Sequence, residues 1–478
     1  MRLGKIIKDL EIVNIKNYKN YNIKSVTHQS SDVEKNGMFI CINGGNYNGN
    51  DYANVAVECG AKCIVTEDDI SIPNATIIRV KNARIAMSVI AKNFYNKCCD
   101  NMKIIGIVGT AGKTTTSILI ARILSNNDKN IGIIGTNGIF IGNLRMDNKF
   151  TTPDPLELHY IFYQMQMLGV KTVVMEVSAQ AIYLHKMHGI KIDIGVFTNI
   201  SKEHLDFFET MENYVRCKMD YFDSNNMKEC VVCVDDFYGM ELAYKTKIPC
   251  VTYAINQPAN SFALNIDLRF DGCKFVANIL DDVIVVESQM VGLMNVYNLL
   301  AAMTVAKMCG MSSLQIGSAV NNLGIIDGRF NVFRKDDKCV LVDFAHTPDS
   351  IEKTLSIVKD FCQGKVLTIF GCVGYSDMQK RIDMSAAVDK YSDFIILTVD
   401  NRGEVLFEDI CKDMIEGITK NKYLKIENRE DAIKCGMEMC GDGDVLCILG
   451  KGAENFQKIN DERLEYSDIE VVKRLLGL

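Results

Sequence analysis

The chain has 478 residues, enough for about three domains of ordinary size. Hydrophobic residues make up 48% of the sequence and charged residues 24%, a balance typical of globular proteins. The net charge of −7 and the scattered lysines and arginines argue against a nucleic-acid-binding protein, although local cations and backbone amides can still bind phosphate. No apolar run reaches the roughly 20 residues of a membrane helix, so we expect a cytoplasmic protein without stable membrane insertion.

The 18 cysteines are not expected to form disulfides, because many lie in apolar stretches and no secretory signal is apparent. Cys230 and Cys233 have the spacing of a metal or redox motif. They fall in a strand-like segment, however, and no second cysteine pair or histidine cluster completes a zinc site. We therefore interpret these two cysteines as packing residues.

The two ends of the chain each predict an α/β domain. For a small N-terminal domain, residues 1–98, the predicted elements are a strand, a helix and a strand at 37–42, 52–59 and 63–66. For a C-terminal domain, residues 328–478, the predicted strands are 339–343, 366–370, 394–398 and 445–449, separated by helices such as 350–360. This second pattern resembles a dinucleotide-binding domain.

The middle of the chain, residues 99–327, predicts a central doubly wound α/β domain. Its β-branched residues 103–108 predict a buried strand, which a glycine loop and a helix from about 114 to 124 follow. Strands recur at 171–175 and 194–198 with helical stretches between them. Such alternation is typical of a parallel sheet covered by helices.

The most informative motif is a loop between the first central strand and its helix: Gly109-Thr110-Ala111-Gly112-Lys113-Thr114-Thr115. A strand before and a helix after are the context of a phosphate-binding loop, where backbone amides and the helix N-terminus point at the anion. Lys113 is expected to reach the β- and γ-phosphates of ATP, and Thr114 to supply a hydroxyl to Mg²⁺. Ile107 stands where the general pattern has its first glycine.

Polar residues also follow the next predicted strands, where open α/β sheets bind ligands. Glu176 ends one strand, and Thr198-Asn199-Ile200 follows another, with His204 shortly after. A histidine in this place can bind a metal, although a lone histidine is more often structural. Lys218 lies in the predicted helix 211–222, and by itself a lysine in a helix does not indicate a function.

Taken in order, these motifs resemble those of the Mur ligases, the ATP-dependent amide-forming enzymes of peptidoglycan synthesis, and within them the MurE type. The family's own loop, Gly-Thr-x-Gly-Lys-Thr, accounts for Ile107. The resemblance covers nearly the whole chain. The other segments that carry it are Ser30-Ser31, Thr151-Thr152-Pro153, Glu176-Val177-Ser178, Glu203-His204-Leu205-Asp206, Asn295-Val296-Tyr297-Asn298, Gly328-Arg329, Asp343-Phe344-Ala345-His346, Asp400-Asn401 and Gly450-Lys451-Gly452-Ala453-Glu454.

The resemblance implies a mechanism and a set of catalytic residues. ATP would phosphorylate the D-Glu γ-carboxylate of UDP-N-acetylmuramoyl-L-Ala-D-Glu, and the amine of an amino acid would attack the acyl phosphate. Thr114 and Glu176 would hold one Mg²⁺, and His204 and a carbamylated Lys218 a second one. The implied catalytic residues are therefore Lys113, Glu176, His204 and Lys218. We further expect a monomer.

The resemblance also implies which residues bind the other ligands. Around ATP these would be the loop 109–115 and Asn295, Asn298, Arg329 and Asp343. Around the UDP-linked muramoyl peptide and the amino acid they would be Ser30, Thr151, Thr152, Ser178, Lys186, Asp400, Asn401, Gly450 and Glu454.

The sequence departs from the family pattern mainly where the amino acid should bind. Ser376 replaces the arginine that holds the amino acid's carboxylate in the family. Gly403 replaces the arginine of Asp-Asn-Pro-Arg, the mark of members that add diaminopimelate. Lys186 also stands in place of an arginine, which loses a forked contact to an anion. Arg381 or Arg402 could replace the missing contacts.

Three hypotheses follow. The leading one is a MurE-type ligase that acts on UDP-N-acetylmuramoyl-L-Ala-D-Glu. The second is a MurE-like ligase with another amine or acceptor, which the changed residues 376 and 403 favour. The third is a paralogue that binds nucleotide without ligation. The intact residues Lys113, Glu176, His204 and Lys218 argue against it.

Overall fold

The computed structural model describes residues 1–478 except 45–46, 128–129, 143, 148, 224, 270 and 461. The described residues form three α/β units, each built around its own sheet, and a small hairpin belongs to the third. This architecture agrees with the α/β class expected from the sequence.

The N-terminal unit is a sheet with helices on both faces. Its strands β1 to β5 are Ile12–Lys16, Val26–Thr27, Gly37–Ile40, Ala61–Thr66 and Thr76–Val80, and its helices α1 to α3 are Leu3–Ile6, Ala53–Glu58 and Ala83–Phe94. The strand order is β1-β5-β4-β3-β2, with β1 antiparallel and the others parallel. Short 3-10 helices lie at Ser30–Asp32, Gly49–Tyr52 and Cys98–Asn101. The strand β3 is buried along its whole length because apolar clusters cover both of its faces.

The central unit has the largest sheet. Its strands β6 to β16 are Lys103–Val108, Ile131–Gly135, Gly138–Ile141, Leu144–Met146, Thr172–Glu176, Ile192–Phe197, Met227–Cys233, Cys250–Ala254, Ser261–Arg269, Gly272–Ile279 and Asp282–Ser288. They are ordered β16-β15-β14-β13-β12-β11-β6-β10-β7-β8-β9. The central strand β6 pairs in parallel with β10 and β11, so the carboxyl ends of all three meet at one edge of the sheet.

Helices cover both faces of this sheet. The helices α4 to α11 are Lys113–Leu124, Pro155–Met167, Ala179–Tyr183, Leu205–Phe208, Met211–Met219, Phe237–Lys245, Leu293–Met308 and Ser313–Asn321. One apolar cluster joins α4, α10 and α11 to the sheet, and another joins α5, α8 and α9 to its opposite face. The sheet and its two helical layers give a doubly wound core, as the alternation of strands and helices predicts.

An antiparallel extension of the central sheet, β14 to β16, was not predicted from the sequence. Along β15 the buried side chains alternate with more exposed ones, and Cys273, Phe275, Ala277 and Ile279 face the core beside α10. Because only one face is buried, these strands alternate in polarity and lack the long apolar runs of the parallel strands.

The C-terminal unit is a second, smaller parallel sheet. Its strands β17 to β22 are Asn331–Lys335, Lys338–Asp343, Val366–Phe370, Phe394–Leu397, Tyr423–Lys425 and Val445–Leu449, ordered β17-β18-β22-β19-β20-β21. Only β17 among them is antiparallel to its neighbour within the described residues. The helices α12 to α16 are Pro348–Phe361, Met378–Tyr391, Phe407–Glu416, Arg429–Met439 and Asp468–Leu476, and the hairpin β23–β24 is Phe456–Ile459 and Glu462–Glu465.

A fully buried ion pair fixes two loops of the C-terminal unit. The guanidinium of Arg429 makes a forked contact with Asp468, with both distances 2.8 Å. It also donates to the carbonyls of Val399, at 3.3 Å, and Leu449, at 2.9 Å. Because the predicted substrate residues 400 and 450 directly follow these carbonyls, the pair positions both loops.

The cysteines are free thiols throughout the described residues, which include all 18 of them. Cys230 and Cys233 lie in β12 and are buried, in agreement with their interpretation as packing residues. Among the described residues, no group of three or more histidine, cysteine or acidic side chains is arranged to hold a metal by itself. No helix of the described chain combines the length and the apolar character that crossing a membrane requires.

Acid should destabilise the central unit through His159 on α5. This side chain is 1% exposed, and burial lowers its pKa from 6.5 to about 3. The unfolded chain therefore takes up a proton below pH 6.5 that the folded chain refuses, so the stability is complete above that pH and is lost as the pH falls. We expect a loss of about 1.4 kcal/mol per pH unit, measured by urea denaturation, and a flatter pH dependence for His159→Leu. Equal slopes for the two proteins would contradict this.

Candidate active site

The predicted phosphate loop lies at the carboxyl edge of the central sheet. The turn 109–112 joins the end of β6 to the start of α4. The amide of Thr110 donates to the carbonyl of Asn199 at 2.8 Å, and the amide of Ala111 donates to the side-chain oxygen of the same residue at 2.9 Å. Because Asn199 follows β11, the neighbouring strand holds the loop in place.

Two glycines of the loop are required by close contacts. A Cβ at Gly109 would come within 1.9 Å of the Thr198 hydroxyl. Gly112 has a φ of +84°, and a Cβ there would come within 2.6 Å of Asn298. Both positions therefore accept only glycine without movement of the surrounding chain.

Lys113 is the first residue of α4. Its ammonium donates to the carbonyls of Gly109, at 2.9 Å, and Thr110, at 2.7 Å, which holds it over the loop. Its charge also acts on Glu203 and Lys218, which belong to neighbouring elements. Lys113 is therefore the cation around which the other site residues are grouped.

Glu176, at the end of β10, faces the start of α4. Its carboxylate accepts from the hydroxyl of Thr114 at 2.9 Å, and from the amide and hydroxyl of Thr136 at 2.8 and 3.1 Å. The carboxylate is 1% exposed, and Gly135 makes room for it, since a Cβ there would lie 2.2 Å from one of its oxygens. A buried hydroxyl and carboxylate side by side are hard oxygen donors of the kind that Mg²⁺ prefers.

Lys218, on α8, points into the same centre and is only 1% exposed. Its ammonium nitrogen lies within hydrogen-bond distance of the Tyr214 hydroxyl and 3.1 Å from the hydroxyl of Thr110. Burial, and next the charge of Lys113, lower the pKa of Lys218 well below its usual value. This shift favours the neutral amine, the form that reacts with carbon dioxide to give a carbamate.

Glu203 and two histidines lie beside these lysines. Burial alone would raise the pKa of Glu203, but Lys113, His204 and His346 outweigh it and bring that pKa below its usual range. Burial lowers the pKa of His204 and of His346, so both imidazoles are neutral at pH 7. A neutral imidazole is the form that ligates metals. His204 therefore fits a metal site together with a Lys218 carbamate, because the carbamate adds the anionic oxygens that an unmodified lysine lacks.

The predicted adenine-side residues form a buried hydrogen-bonded chain behind the loop. Thr116 donates to Asn298 at 3.1 Å, Asn298 donates to Asn295 at 3.0 Å, and Asn295 donates to the carbonyl of Val291 at 2.8 Å. This chain ties α4 to α10, and Thr115 is buried next to it. The side chains of Asn295 and Asn298 are thus hydrogen-bonded to other residues of the central unit in this structure.

The predicted muramoyl-peptide residues lie next to Glu176. The hydroxyl of Thr152 donates to the carbonyl of Glu176 at 2.9 Å and accepts from the amide of Ser178 at 3.0 Å. The hydroxyls of Thr151 and Thr136 are 3.1 Å apart. The structure therefore brings Thr151, Thr152 and Ser178 to one wall of the site.

Lys186 continues this wall toward the N-terminal unit. It is 7% exposed, its ammonium pairs with Asp154 at 2.8 Å, and it lies 4.3 Å from the centre of the Phe150 ring. The charges of Asp154 and Lys186 also act on His28, whose pKa is lowered mainly by burial. Ser30 lies two residues further along the same N-terminal segment, so that segment faces Lys186.

Arg329 and Asp343 lie where the C-terminal unit meets the central one. Burial lowers the pKa of Arg329, while the carboxylates of Asp343, Glu176 and Glu454 counteract that shift. The Arg329 guanidinium lies 4.4 Å from the Phe344 ring centre. Asp343 accepts from the amides of residues 330 and 345 at 2.7 and 3.0 Å, so its carboxylate fixes the start of the C-terminal unit.

The C-terminal loops contribute a second buried lysine, Lys451. It is 0% exposed and donates to Glu454 at 2.8 Å and to Asn401 at 3.3 Å, with Asp400 3.5 Å away. Gly450, with a φ of +112°, gives the turn that places it there. The predicted residues Asp400, Asn401, Gly450 and Glu454 therefore come together around a lysine that was not among them.

Four residues near the site had no role of their own in the sequence prediction: Lys451, His28, Glu203 and His346. Lys451 lay inside the quoted segment 450–454, and Glu203 lay beside His204, so both had a signal in the sequence. His28 had only its position two residues before Ser30.

Family models and relatives cover the whole of this architecture. Three models match, described as "Mur ligase family, catalytic domain" over residues 22–107, "Mur ligase middle domain" over residues 107–306, and "Mur ligase, glutamate ligase domain" over residues 328–452. A Clostridium acetobutylicum protein named "UDP-N-acetylmuramoyl-L-alanyl-D-glutamate--2,6-diaminopimelate ligase 1" is 34% identical over 480 residues, which span 100% of this chain and 99% of that protein. The chain belongs to the Mur ligase family.

Further similarities agree with this membership. A protein of Caldanaerobacter subterraneus subsp. tengcongensis, also named "UDP-N-acetylmuramoyl-L-alanyl-D-glutamate--2,6-diaminopimelate ligase", is 36% identical over 481 residues. The match covers 100% of this chain and 99% of that protein. A solved structure of a ligase with the corresponding name has a TM-score of 0.70 at 27% identity, and the match covers 100% of this chain and 99% of that one. A MurF ligase from Thermotoga maritima in complex with ADP has a TM-score of 0.62 at 18% identity over 89% of this chain and 93% of its own, which shows the shared fold.

Proposed function

We propose that this Mur ligase is an ATP-dependent enzyme that joins an amino acid to UDP-N-acetylmuramoyl-L-Ala-D-Glu in peptidoglycan synthesis, in the cytoplasm and as a monomer. The observation that carries the proposal is the group of four side chains at the phosphate loop: Lys113, the Thr114–Glu176 pair and the buried Lys218. A nucleotide-binding paralogue without ligase activity would have no need for the buried amine of Lys218.

Each of the three domains is proposed to bind a different ligand. Residues 1–98 and the wall formed by Thr151, Thr152, Ser178 and Lys186 would bind the UDP-linked muramoyl peptide. Residues 99–327 would bind ATP, and residues 328–478 would bring the amino acid to the reacting carboxylate. The position of Arg329 between Glu176 and Glu454 supports a contact with the ATP phosphates when the last two domains close on each other.

In the first step an oxygen of the D-Glu γ-carboxylate attacks the γ-phosphorus of ATP. The bond from that phosphorus to its bridging oxygen breaks, and ADP and an acyl phosphate are formed. Negative charge shifts among the phosphoryl oxygens during the transfer, so catalysis consists of positioning and cationic stabilisation. Lys113 is already held over the loop, so it supplies a stabilising positive charge without reorganisation.

In the second step the amine nitrogen attacks the acyl carbon. The carbon–nitrogen bond forms, the bond to the phosphate oxygen breaks, and the nitrogen loses a proton as phosphate leaves. Asp400, Asn401 and Glu454 surround Lys451, which holds them together, and the amine would approach from their side.

The residues present fit Mg²⁺ on two sides of the phosphate loop. Thr114 and Glu176 would hold one ion, and His204 and a carbamylated Lys218 the other. When bound, the ions would neutralise charge on the phosphate oxygens. In carbamylation the neutral Lys218 nitrogen attacks carbon dioxide and loses a proton, which converts an amine into an anionic oxygen ligand.

The test is a turnover assay with purified protein, ATP, Mg²⁺ and UDP-N-acetylmuramoyl-L-Ala-D-Glu across a panel of amino acids. We expect equal amounts of ADP, phosphate and a new amide product, identified by mass spectrometry. No amide product with any amino acid would refute the proposed function.

Lys186 is expected to bind the anionic part of the UDP-linked substrate. Lys186→Ala should raise the KM for that substrate about 10- to 100-fold and change kcat much less, because a charge-assisted contact outside the reacting centre is lost. Lys186→Arg should recover most of the affinity, and the exposed Lys191→Ala serves as the control. A fall in kcat with an unchanged KM would contradict this assignment.

A further inference from the structure

The linker between the central and C-terminal units is residues 322–330, from the end of α11 to the start of β17. Ile326 is 1% exposed and belongs to an apolar cluster of the central unit. Gly328 already packs on the C-terminal unit, since a Cβ there would lie 1.9 Å from the amide nitrogen of Ala453. The chain therefore passes from one unit to the other between these two residues, and Arg329 follows directly.

This linker is bonded to the helix that opens at the phosphate loop. Arg122 lies in the last turn of α4, which begins with Lys113. One of its guanidinium nitrogens donates to the carbonyl of Leu323 at 2.9 Å and to that of Ile325 at 3.0 Å. Gly324, with a φ of +64°, lies between the two carbonyls, so the pair of bonds fixes the turn of the chain at this glycine.

The contact between Arg122 and the linker is charge-assisted. The side chain is half-buried, and burial lowers the pKa of Arg122, while the charge of Asp327 counteracts that shift. A guanidinium remains charged under these conditions, and hydrogen bonds from a charged donor are roughly twice as strong as neutral ones. Arg122 is therefore bound to the linker by two hydrogen bonds and is also attracted by a carboxylate of the linker.

The turn that Arg122 fixes leads directly to Arg329. The amide of Arg329 donates to the carbonyl of Ile326 at 3.1 Å, and three residues separate it from the second carbonyl that Arg122 binds. The charge of Glu176, at the phosphate loop, acts on the Arg329 guanidinium. A change in the linker turn would therefore move this guanidinium relative to the phosphate site.

The helix α4 gives both cations a common support. Its residues Leu119 and Ile120 are fully buried in the apolar cluster that joins α4 to the sheet, so the helix is fixed in the central unit. An α-helix keeps a constant rise of about 1.5 Å per residue, so its two ends stay at a fixed distance. One end carries Lys113, and the other holds, through Arg122, the linker that precedes Arg329.

We propose that Arg122 is a positioning residue for the phosphate site: through the linker it holds the Arg329 guanidinium where the phosphoryl group is transferred. This inference rests on the proposed function, which assigns Arg329 to the ATP phosphates. Because Arg122 itself does not contact the ligands, its effect on the reaction must depend on Arg329. A residue that only stabilised the fold would have an effect independent of Arg329.

The test is a double-mutant cycle of Arg122→Met and Arg329→Ala with ATP, Mg²⁺, UDP-N-acetylmuramoyl-L-Ala-D-Glu and hydroxylamine. Hydroxylamine converts the acyl phosphate to a hydroxamate, so the readout is kcat for the first step and does not depend on the amino acid. We expect Arg122→Met to lower kcat about 10-fold, the size of a lost charge-assisted hydrogen bond, and Arg329→Ala about 100-fold. In the Arg329→Ala background, Arg122→Met should lower kcat by less than about twofold.

The matched control is Arg2→Met, which removes an exposed arginine that donates to the carbonyl of Asn20 at 3.2 Å in the N-terminal unit. It should leave kcat unchanged. Thermal denaturation verifies that each variant is folded. If Arg122→Met does not fold, Arg122→Lys takes its place in the cycle, with an expected loss of at least about threefold, because an ammonium lacks the reach and planar fork of a guanidinium.

An unchanged kcat in the Arg122 variant, or an equal loss in the wild-type and Arg329→Ala backgrounds, overturns the proposal. The wild-type reaction distinguishes this failure from that of the proposed function. A folded wild type that forms no hydroxamate refutes the proposed function and this inference with it. Hydroxamate formation together with independent effects of the two substitutions refutes only the role of Arg122.

Discussion

Replacing Lys113 by alanine is expected to lower kcat about 10³-fold, the scale seen when a preorganised donor to developing charge is removed. The reason is geometric: the ammonium is held over the loop by the carbonyls of Gly109 and Thr110, at the start of α4. Because charge on the transferred phosphoryl group is greatest in the transition state, kcat should fall more than KM rises. The measurement is steady-state release of ADP and phosphate.

The matched control for this substitution is Lys171→Ala, an exposed lysine just before β10. It should leave kcat unchanged. Lys113→Arg should remain strongly impaired, because a planar guanidinium cannot sit as a point charge between the two loop carbonyls. Turnover by Lys113→Ala at the rate of the wild type would contradict the assignment of the loop.

Replacing Lys218 by alanine should have an effect of similar size, about 10²- to 10³-fold on kcat. The side chain is 1% exposed, and burial lowers its pKa, which favours the neutral amine that forms a carbamate. Alanine removes the anionic oxygens that the carbamate would offer to a metal ion. Because the carbamate forms from dissolved carbon dioxide, we also expect the wild type to lose activity in carbonate-free buffer and to recover it when bicarbonate is added.

Two readouts separate this role from a merely structural one. The carbamate carbon should give a ¹³C NMR signal in the wild type after exchange with labelled bicarbonate, and the signal should be missing in Lys218→Ala. The exposed Lys245→Ala, 65% exposed on α9, should behave like the wild type in both experiments. Full activity of Lys218→Ala, with a normal denaturation temperature, would refute the carbamate.

The parallel part of the fold and the phosphate loop could be predicted because their signals are local. A buried β-branched strand, a glycine turn and a helix follow one another within residues 103–124, and Glu176 marks the end of a neighbouring strand. The antiparallel strands β14 to β16 could not be predicted in the same way. Their side chains alternate in polarity and pair with strands adjacent in sequence, so they lack the long apolar runs by which the parallel strands were recognised.

How deeply a side chain is buried, and which groups it contacts, were harder to infer from the sequence than the element on which it lies. Lys218 follows Tyr214 by four residues on an ordinary helix, and only the packing of α8 on the sheet makes both side chains buried. The sequence suggested Arg381 and Arg402 as possible replacements for the missing arginines. In the structure Arg381 pairs with Asp413 and donates to the carbonyl of Gly374. Arg402 donates to the carbonyl of Val405, so both guanidinium groups already have partners in the C-terminal unit.

The hydrogen-bond partners of Asn199 and Asp343 could not be inferred from the sequence either. The sequence placed Asn199 after a strand, where ligands bind, and the resemblance placed Asp343 at ATP. In the structure the side chain of Asn199 accepts from the amide of Ala111 in the phosphate loop, and that of Asp343 accepts from two amides of the C-terminal unit. Short polar side chains next to exposed amides are satisfied by the backbone, and a sequence does not reveal which amides are in reach.

The most direct test of the central claim is hydroxylamine trapping of the activated carboxylate. Protein, ATP, Mg²⁺ and UDP-N-acetylmuramoyl-L-Ala-D-Glu are incubated with hydroxylamine and no amino acid, and ADP and hydroxamate are measured together. We predict that the two products appear in equal amounts, and that neither forms with Lys113→Ala within the same period. ATP hydrolysis without hydroxamate, or no reaction by a folded wild-type protein, would contradict an acyl-phosphate ligase.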